Sequence, residues 1–169
     1  MSRLLQLQSQ MQTESIDLVA LGPGAHLRWL TGMHPHGDER PLLLCVTPKD
    51  AAFLMPVLEA DSAGRHTDIP FFTWSDEDGP GAAFAQLLQA VGATQAGSIA
   101  VDETMRADFA GLVQDALPQA DRQFGASTVG ALRLRKDARE FEALKKVALI
   151  GDDAMRRAWS DMRVGMAER

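Results

Sequence analysis

Leu42-Leu43-Leu44-Cys45-Val46 is an unbroken apolar run, closed by Pro41 on one side and Thr47-Pro48 on the other. A strand reads this way when both faces of its sheet are covered; a half-exposed strand would alternate. The turn Thr47-Pro48-Lys49-Asp50 and a second apolar stretch, Ala51 to Met55, follow at once, so the pair reads as a hairpin inside a layered domain.

The rest of the chain fits such layers. Leu4, Leu7 and Met11 recur at helical spacing and predict a helix over 2–13. Ile16 to Leu21 predicts a strand, ended by Gly22-Pro23-Gly24, and Ala25 to Leu30 a turn or two of helix. Residues 33–41 form a polar loop with two prolines and a glycine. Val57 to Gly64 reads as a short helix or loop, Ile69 to Trp74 and Ser98 to Val101 as strands, and Gln123-Phe124 as the start of an edge strand. Helices are predicted over Ala82 to Val91, and over Arg106 to Leu117 with Phe109, Leu112, Val113 and Leu117 inward. Alternation of this kind predicts an α/β domain: a mixed β-sheet of about five or six strands with helices on both faces.

From Asp137 the period changes. Phe141, Ala148, Met155 and Met162 lie seven apart, with Leu144, Gly151 and Ala158 as a second series. These predict a long C-terminal helix over 137–163, with Asp137 as N-cap, Glu140 completing a capping box, and Gly165 ending it. Its seam wants a partner, and Trp159 stands beside it.

Composition excludes several functions. Of 169 residues, 46% are apolar and 24% charged, which suits one buried core. With 17 basic against 23 acidic side chains the net charge is −6, and no basic cluster opposes a run of phosphates, so neither nucleic acid nor an anionic membrane surface is an expected partner. Arg133, Arg135 and Lys136 make a small basic group that suits a linker face better than a nucleic-acid site. Met1 to Thr13 carries glutamines between its leucines and does not resemble a secretory signal, no window is apolar enough to span a membrane, and the single cysteine, Cys45, reads as an inert core thiol. The expected location is the cytoplasm.

Motifs that usually carry chemistry are weak here. Gly22-Pro23-Gly24 lacks the last glycine of a dinucleotide fingerprint, and no serine sits in a Gly-x-Ser-x-Gly elbow. His34-Pro35-His36-Gly37-Asp38 superficially matches a His-x-His-x-Asp zinc motif, but Glu39 stands where a further histidine is needed, and His26 and His66 lie in no recognisable ligand pair. A solvated loop is the preferred reading.

Trp29-Leu30-Thr31-Gly32-Met33 resembles the Tyr-Leu-Thr-Gly-Phe segment of the creatinase/prolidase/aminopeptidase P family, whose N-terminal domain precedes a pita-bread metallopeptidase domain. Asp17 to Leu21 is similar to that family's first strand, and Arg40-Pro41 with the hairpin after it to its Arg-plus-hairpin stretch. Leu132-Arg133-Leu134-Arg135-Lys136-Asp137 with Glu140 and Leu144 resembles the Leu-Arg-x-x-Lys-(Ser/Asp)-x-x-Glu segment leading into the catalytic domain, and Gly165-Met166-x-Glu168 continues the likeness.

The resemblance implies residues 1–126 as the N-terminal domain and 127–169 as linker plus the first helix of a catalytic domain lying beyond Arg169. It implies that two divalent metal ions (Mn, Zn or Co) are held downstream by two aspartates, a histidine and two glutamates, that the present chain is inactive alone, and that the whole protein is a homodimer acting on a proline-containing peptide. It also implies that the loop after Thr31-Gly32 reaches substrate, with His36 and Arg40 proximal to it; a guanidinium suits a peptide carboxylate. The alternative is a stand-alone dimerisation or small-molecule-binding α/β module without peptidase activity.

Overall fold

The computed structural model describes residues 2–124 and 128–167. It divides into two compact units, Met1–Arg133 and Leu134–Arg169.

The first unit is built on six strands: β1 Leu18–Leu21, β2 Leu43–Val46, β3 Ala51–Pro56, β4 Phe71–Trp74, β5 Ser98–Val101 and β6 Asp121–Phe124. They form one mixed sheet in the order β4-β3-β2-β1-β5-β6. β2 and β3 are the expected hairpin, with Val46 opposite Ala51, and β2 also runs antiparallel to β1. The pairs β1–β5, β5–β6 and β3–β4 are parallel. β6 is the edge strand foreseen at Gln123-Phe124, begun two residues earlier.

The apolar run 42–46 is continuous because successive side chains enter two different cores. Leu43 and Cys45 join Leu18, Ala20, Leu54, Ile99 and Val101 on one face, under α4 Gly81–Ala90 and α5 Ala107–Ala116. Leu42, Leu44 and Val46 join Val19, Leu21, Phe53 and Met55 on the other. That face is covered by α1 Arg3–Glu14, α2 Ala25–Thr31, α3 Val57–Ala63 and α6 Val129–Leu134, through Leu7 and Met11, Leu27 and Leu30, Ala63, and Val129 respectively. Helices thus lie on both faces, and the sequence reading errs here only in giving no helix at α6. Among the predicted inward residues of α5, Phe109, Val113 and Leu117 are buried and Leu112 is partly so.

Local chemistry explains the segments that resemble a family motif. Gly32 ends α2 with φ +77°, a left-handed conformation that favours glycine. The Thr31 hydroxyl donates to the Leu27 carbonyl at 2.8 Å and accepts the Met33 N–H at 3.1 Å, so Thr-Gly is a helix stop with its own cap. Asp17 Oδ2 accepts the N–H groups of Gly97 and Ser98 at 2.8 and 3.0 Å, tying the start of β1 to the start of β5. At position 22 glycine is required by contact, since a Cβ there would stand 2.9 Å from Met105 Cβ.

The second unit is dominated by α7, Ala138–Asp161. Asp137 is its N-cap and the capping box closes both ways: Glu140 N–H donates to Asp137 Oδ1 at 2.8 Å and Asp137 N–H to Glu140 Oε2 at 3.0 Å. The helix stops at Met162, whose backbone turns extended, rather than at Gly165, which lies beyond it in a positive-φ turn. None of the α7 residues is buried; Phe141, Leu144 and Met155 of the predicted seam, and Trp159 beside it, are all exposed. Among the described residues no helix is long and apolar enough to cross a membrane.

Candidate functional site at the carboxyl edge of the sheet

β1, β3, β4, β5 and β6 run in one direction and β2 in the other, so five carboxyl ends open at one edge. In open α/β sheets ligands bind outside the carboxyl ends of the strands. The loop 33–41 enters β2 at this same edge, beside the turns that follow β1, β4 and β5. Gly37 lies against Pro23 of the first of these turns.

The loop is shaped by its own polar residues and by β4. Asp38 Oδ1 accepts the Arg40 N–H at 2.9 Å, a local side-chain turn. Trp74 Nε1 donates to the Pro41 carbonyl at 2.9 Å, and the Arg40 guanidinium pairs with Asp76 Oδ2 at 2.7 Å. His36 is exposed and Arg40 half-buried. Both lie within electrostatic reach of Glu59 on α3. Burial first, and then the negative charge of Asp38, raise the Glu59 carboxyl above its ordinary range, against the opposing pull of Arg40 and His36. Beside them a cleft of about 370 Å³ lies between residues 32–35 and α3, with Met33, His34, Met55, Leu58, Glu59 and His66 in its wall.

Among the described residues the His-x-His-x-Asp segment belongs to no metal-sized group of donors. The group that does form among them is His26, Asp102 and Glu103, whose ligand atoms all lie within 4.8 Å of one another. His26 is buried on α2, and the two acids follow β5 directly. His26 Nε2 is 2.9 Å from Glu103 Oε1, and His26 Nδ1 is 3.0 Å from Arg133 Nη1 on α6. A guanidinium only donates, so Nδ1 accepts from Arg133 and Nε2–H donates to Glu103. Partial burial acts to raise the Glu103 carboxyl, but the His26 hydrogen bond, its own backbone and the nearby Arg133 charge outweigh it and hold the group low. The sequence reading passes over this cluster. Its one local signal is a pair of acids placed immediately after a strand that is apolar from Ile99 to Val101.

A six-stranded mixed sheet, helices on both faces and a structured loop across its carboxyl edge define a layered α/β domain. The chain belongs to the Creatinase/Prolidase N-terminal domain family, whose model matches residues 3–135. It is similar to the crystal structure of a dipeptidase from Pyrococcus horikoshii OT3, with 27% identity and a TM-score of 0.88, covering 99% of this chain and 46% of that one. The dipeptidase PepE from Mycobacterium ulcerans is 25% identical with a TM-score of 0.81, over 92% of this chain and 42% of that one. The Creatinase/Prolidase N-terminal domain of an X-Pro dipeptidase from Streptococcus pyogenes shares the fold, at 19% identity and a TM-score of 0.68, over 76% of this chain and 96% of that one. No match is found among curated proteins. The chain therefore spans less than half the length of the two dipeptidases.

Proposed function

We propose that this chain is the non-catalytic N-terminal domain of a metal-dependent Xaa-Pro dipeptidase or aminopeptidase, contributing oligomer contacts and one wall of the substrate site. The observation that carries the reading is the alignment of 99% of the chain with 46% of a dipeptidase. On this reading residues 127–169 are the linker and first helix of the catalytic part, the protein acts in the cytoplasm as a homodimer, and two divalent ions (Mn, Zn or Co), held by residues downstream, would supply the Lewis acidity that activates water.

In the domain itself, His36 and Arg40 face substrate. Asp76 holds one edge of the Arg40 fork at 2.7 Å, which orients the guanidinium for a peptide carboxylate. Reading the gene beyond Arg169 is the first test. An in-frame continuation with two aspartates, a histidine and two glutamates supports the proposal, and a natural stop codon sinks it in favour of a stand-alone module. The purified 169-residue chain should hydrolyse no Xaa-Pro dipeptide with added manganese, and measurable turnover would refute its non-catalytic role. In a continuous protein, Arg40→Met should raise KM about tenfold or more, the scale of one charge-assisted hydrogen bond, while leaving kcat nearly unchanged.

A further inference from the structure

The two oxygens of Asp102 are used unequally. Oδ1 accepts the backbone N–H and the hydroxyl of Thr104, at 2.8 and 2.6 Å. Oδ2 is buried and meets no donor, although Asp102 is only 2% exposed. A carboxylate oxygen taken from water and given nothing in return is costly. The chain also keeps room beside it: a Cβ on residue 24 would lie 3.6 Å from Asp102 Oδ2 and 3.3 Å from Thr104 Oγ1, and the residue there is glycine. The Gly24 backbone is extended, with φ 172°, so its conformation does not call for glycine.

We propose that His26, Asp102 and Glu103 bind a divalent transition-metal ion, of the zinc or manganese class, within the N-terminal domain. One imidazole nitrogen and two carboxylate oxygens are a donor set such ions accept. His26 Nε2 and Glu103 Oε1 stand 2.9 Å apart. Two ligands each ~2.1 Å from one ion, at about a right angle, are separated by about that distance. The ion thus takes the place of the proton the two now share, and it supplies Asp102 Oδ2 with the positive partner the chain does not. The ligand atoms already lie within 4.8 Å of one another, and Glu103, the most exposed of the three, is the side chain free to adjust around an ion.

Arg133 sets the affinity. When Nε2 binds the ion, the imidazole proton moves to Nδ1, which then no longer accepts from Arg133 Nη1. Metal uptake and the Arg133–His26 contact are therefore mutually exclusive, with no net proton released from a neutral ring.

Isothermal titration of the metal-stripped 169-residue chain with zinc chloride, repeated with manganese chloride, tests this. One ion per chain is expected. Asp102→Asn keeps the Oδ1 acceptor and removes the charge, and should weaken that site about tenfold or more. Glu103→Gln, on the more exposed residue, should do the same and serves if the first variant fails to fold by circular dichroism. Arg133→Met should tighten it. Absence of uptake overturns the proposal, and so does uptake that Asp102→Asn and Glu103→Gln leave unchanged, which would mark adventitious binding at His34, His36 or His66.

Discussion

Trp74 Nε1 donates to the Pro41 carbonyl at 2.9 Å, fastening the end of the polar loop to the outermost strand of the sheet. Trp74 is otherwise a core residue packed with Ala83 and Phe84. Trp74→Phe keeps a ring but loses the donor and some volume. It should cost about 1–3 kcal/mol in urea unfolding. Amide exchange should quicken through residues 38–40, whereas protection unchanged there would mean that the loop is held by other contacts.

The opposite face is fixed by Phe53, fully buried on β3 and stacked on Phe71 with centroids 5.5 Å apart. Phe53→Ala removes that stacking and leaves a cavity under α3, so the expected loss is about 3–5 kcal/mol. A measured loss under about 1 kcal/mol would show that this face collapses freely around the deletion.

Stability should also depend on the thiol of Cys45. Burial pushes it up from 9.0 to about 12. The folded chain holds the proton more tightly than the unfolded one, so this contribution is fully present below the unfolded value and lost as pH rises through the folded one. Between those two values the loss is about 1.4 kcal/mol per pH unit. Comparing the pH dependence of unfolding with that of Cys45→Ala isolates the effect, and identical slopes above about pH 9 would refute it. The same burial should keep Cys45 unreactive to thiol reagents in the folded chain.

In the second unit, Asp137→Ala removes the side-chain half of the capping box, leaving the Glu140 N–H without its Asp137 Oδ1 acceptor, while the backbone N–H of residue 137 can still donate to Glu140. A peptide covering residues 134–167 should lose helical circular dichroism, by an amount equivalent to about 0.5–2 kcal/mol. Little or no change would show that the helix of this segment does not depend on its first turn.

The layered fold is legible in the sequence because its strands, the polar edge strand β6 apart, are short apolar runs and its helices carry stripes, and the two periods differ. The run at Leu42 already shows two covered faces. The less legible parts are those held by few residues. α6 buries Val129 as its main anchor, too little to make a stripe, and the end of α7 is set by the backbone of Met162 while Gly165 offers the more conspicuous signal. The family motif around Thr31-Gly32 proves to be a capped helix stop. His36 and Arg40 could be singled out from their loop, but their neighbours Glu59 and Asp76 come from other elements. His26 and Glu103 are 77 positions apart and meet because β1 lies parallel to β5. A local motif search has no access to that pairing.

The same pairing governs the order in which the chain can assemble. β2 and β3 meet across a four-residue turn and can form as soon as both exist. β1 cannot complete its other side until β5 has been made, since Asp17 and Ser98 are 81 positions apart. At ordinary rates of synthesis β1 waits roughly 4–16 s on the ribosome with one edge open. During that interval Leu18 to Leu21, apolar throughout and without its parallel neighbour, presents an open strand edge of the kind that invites wrong pairing.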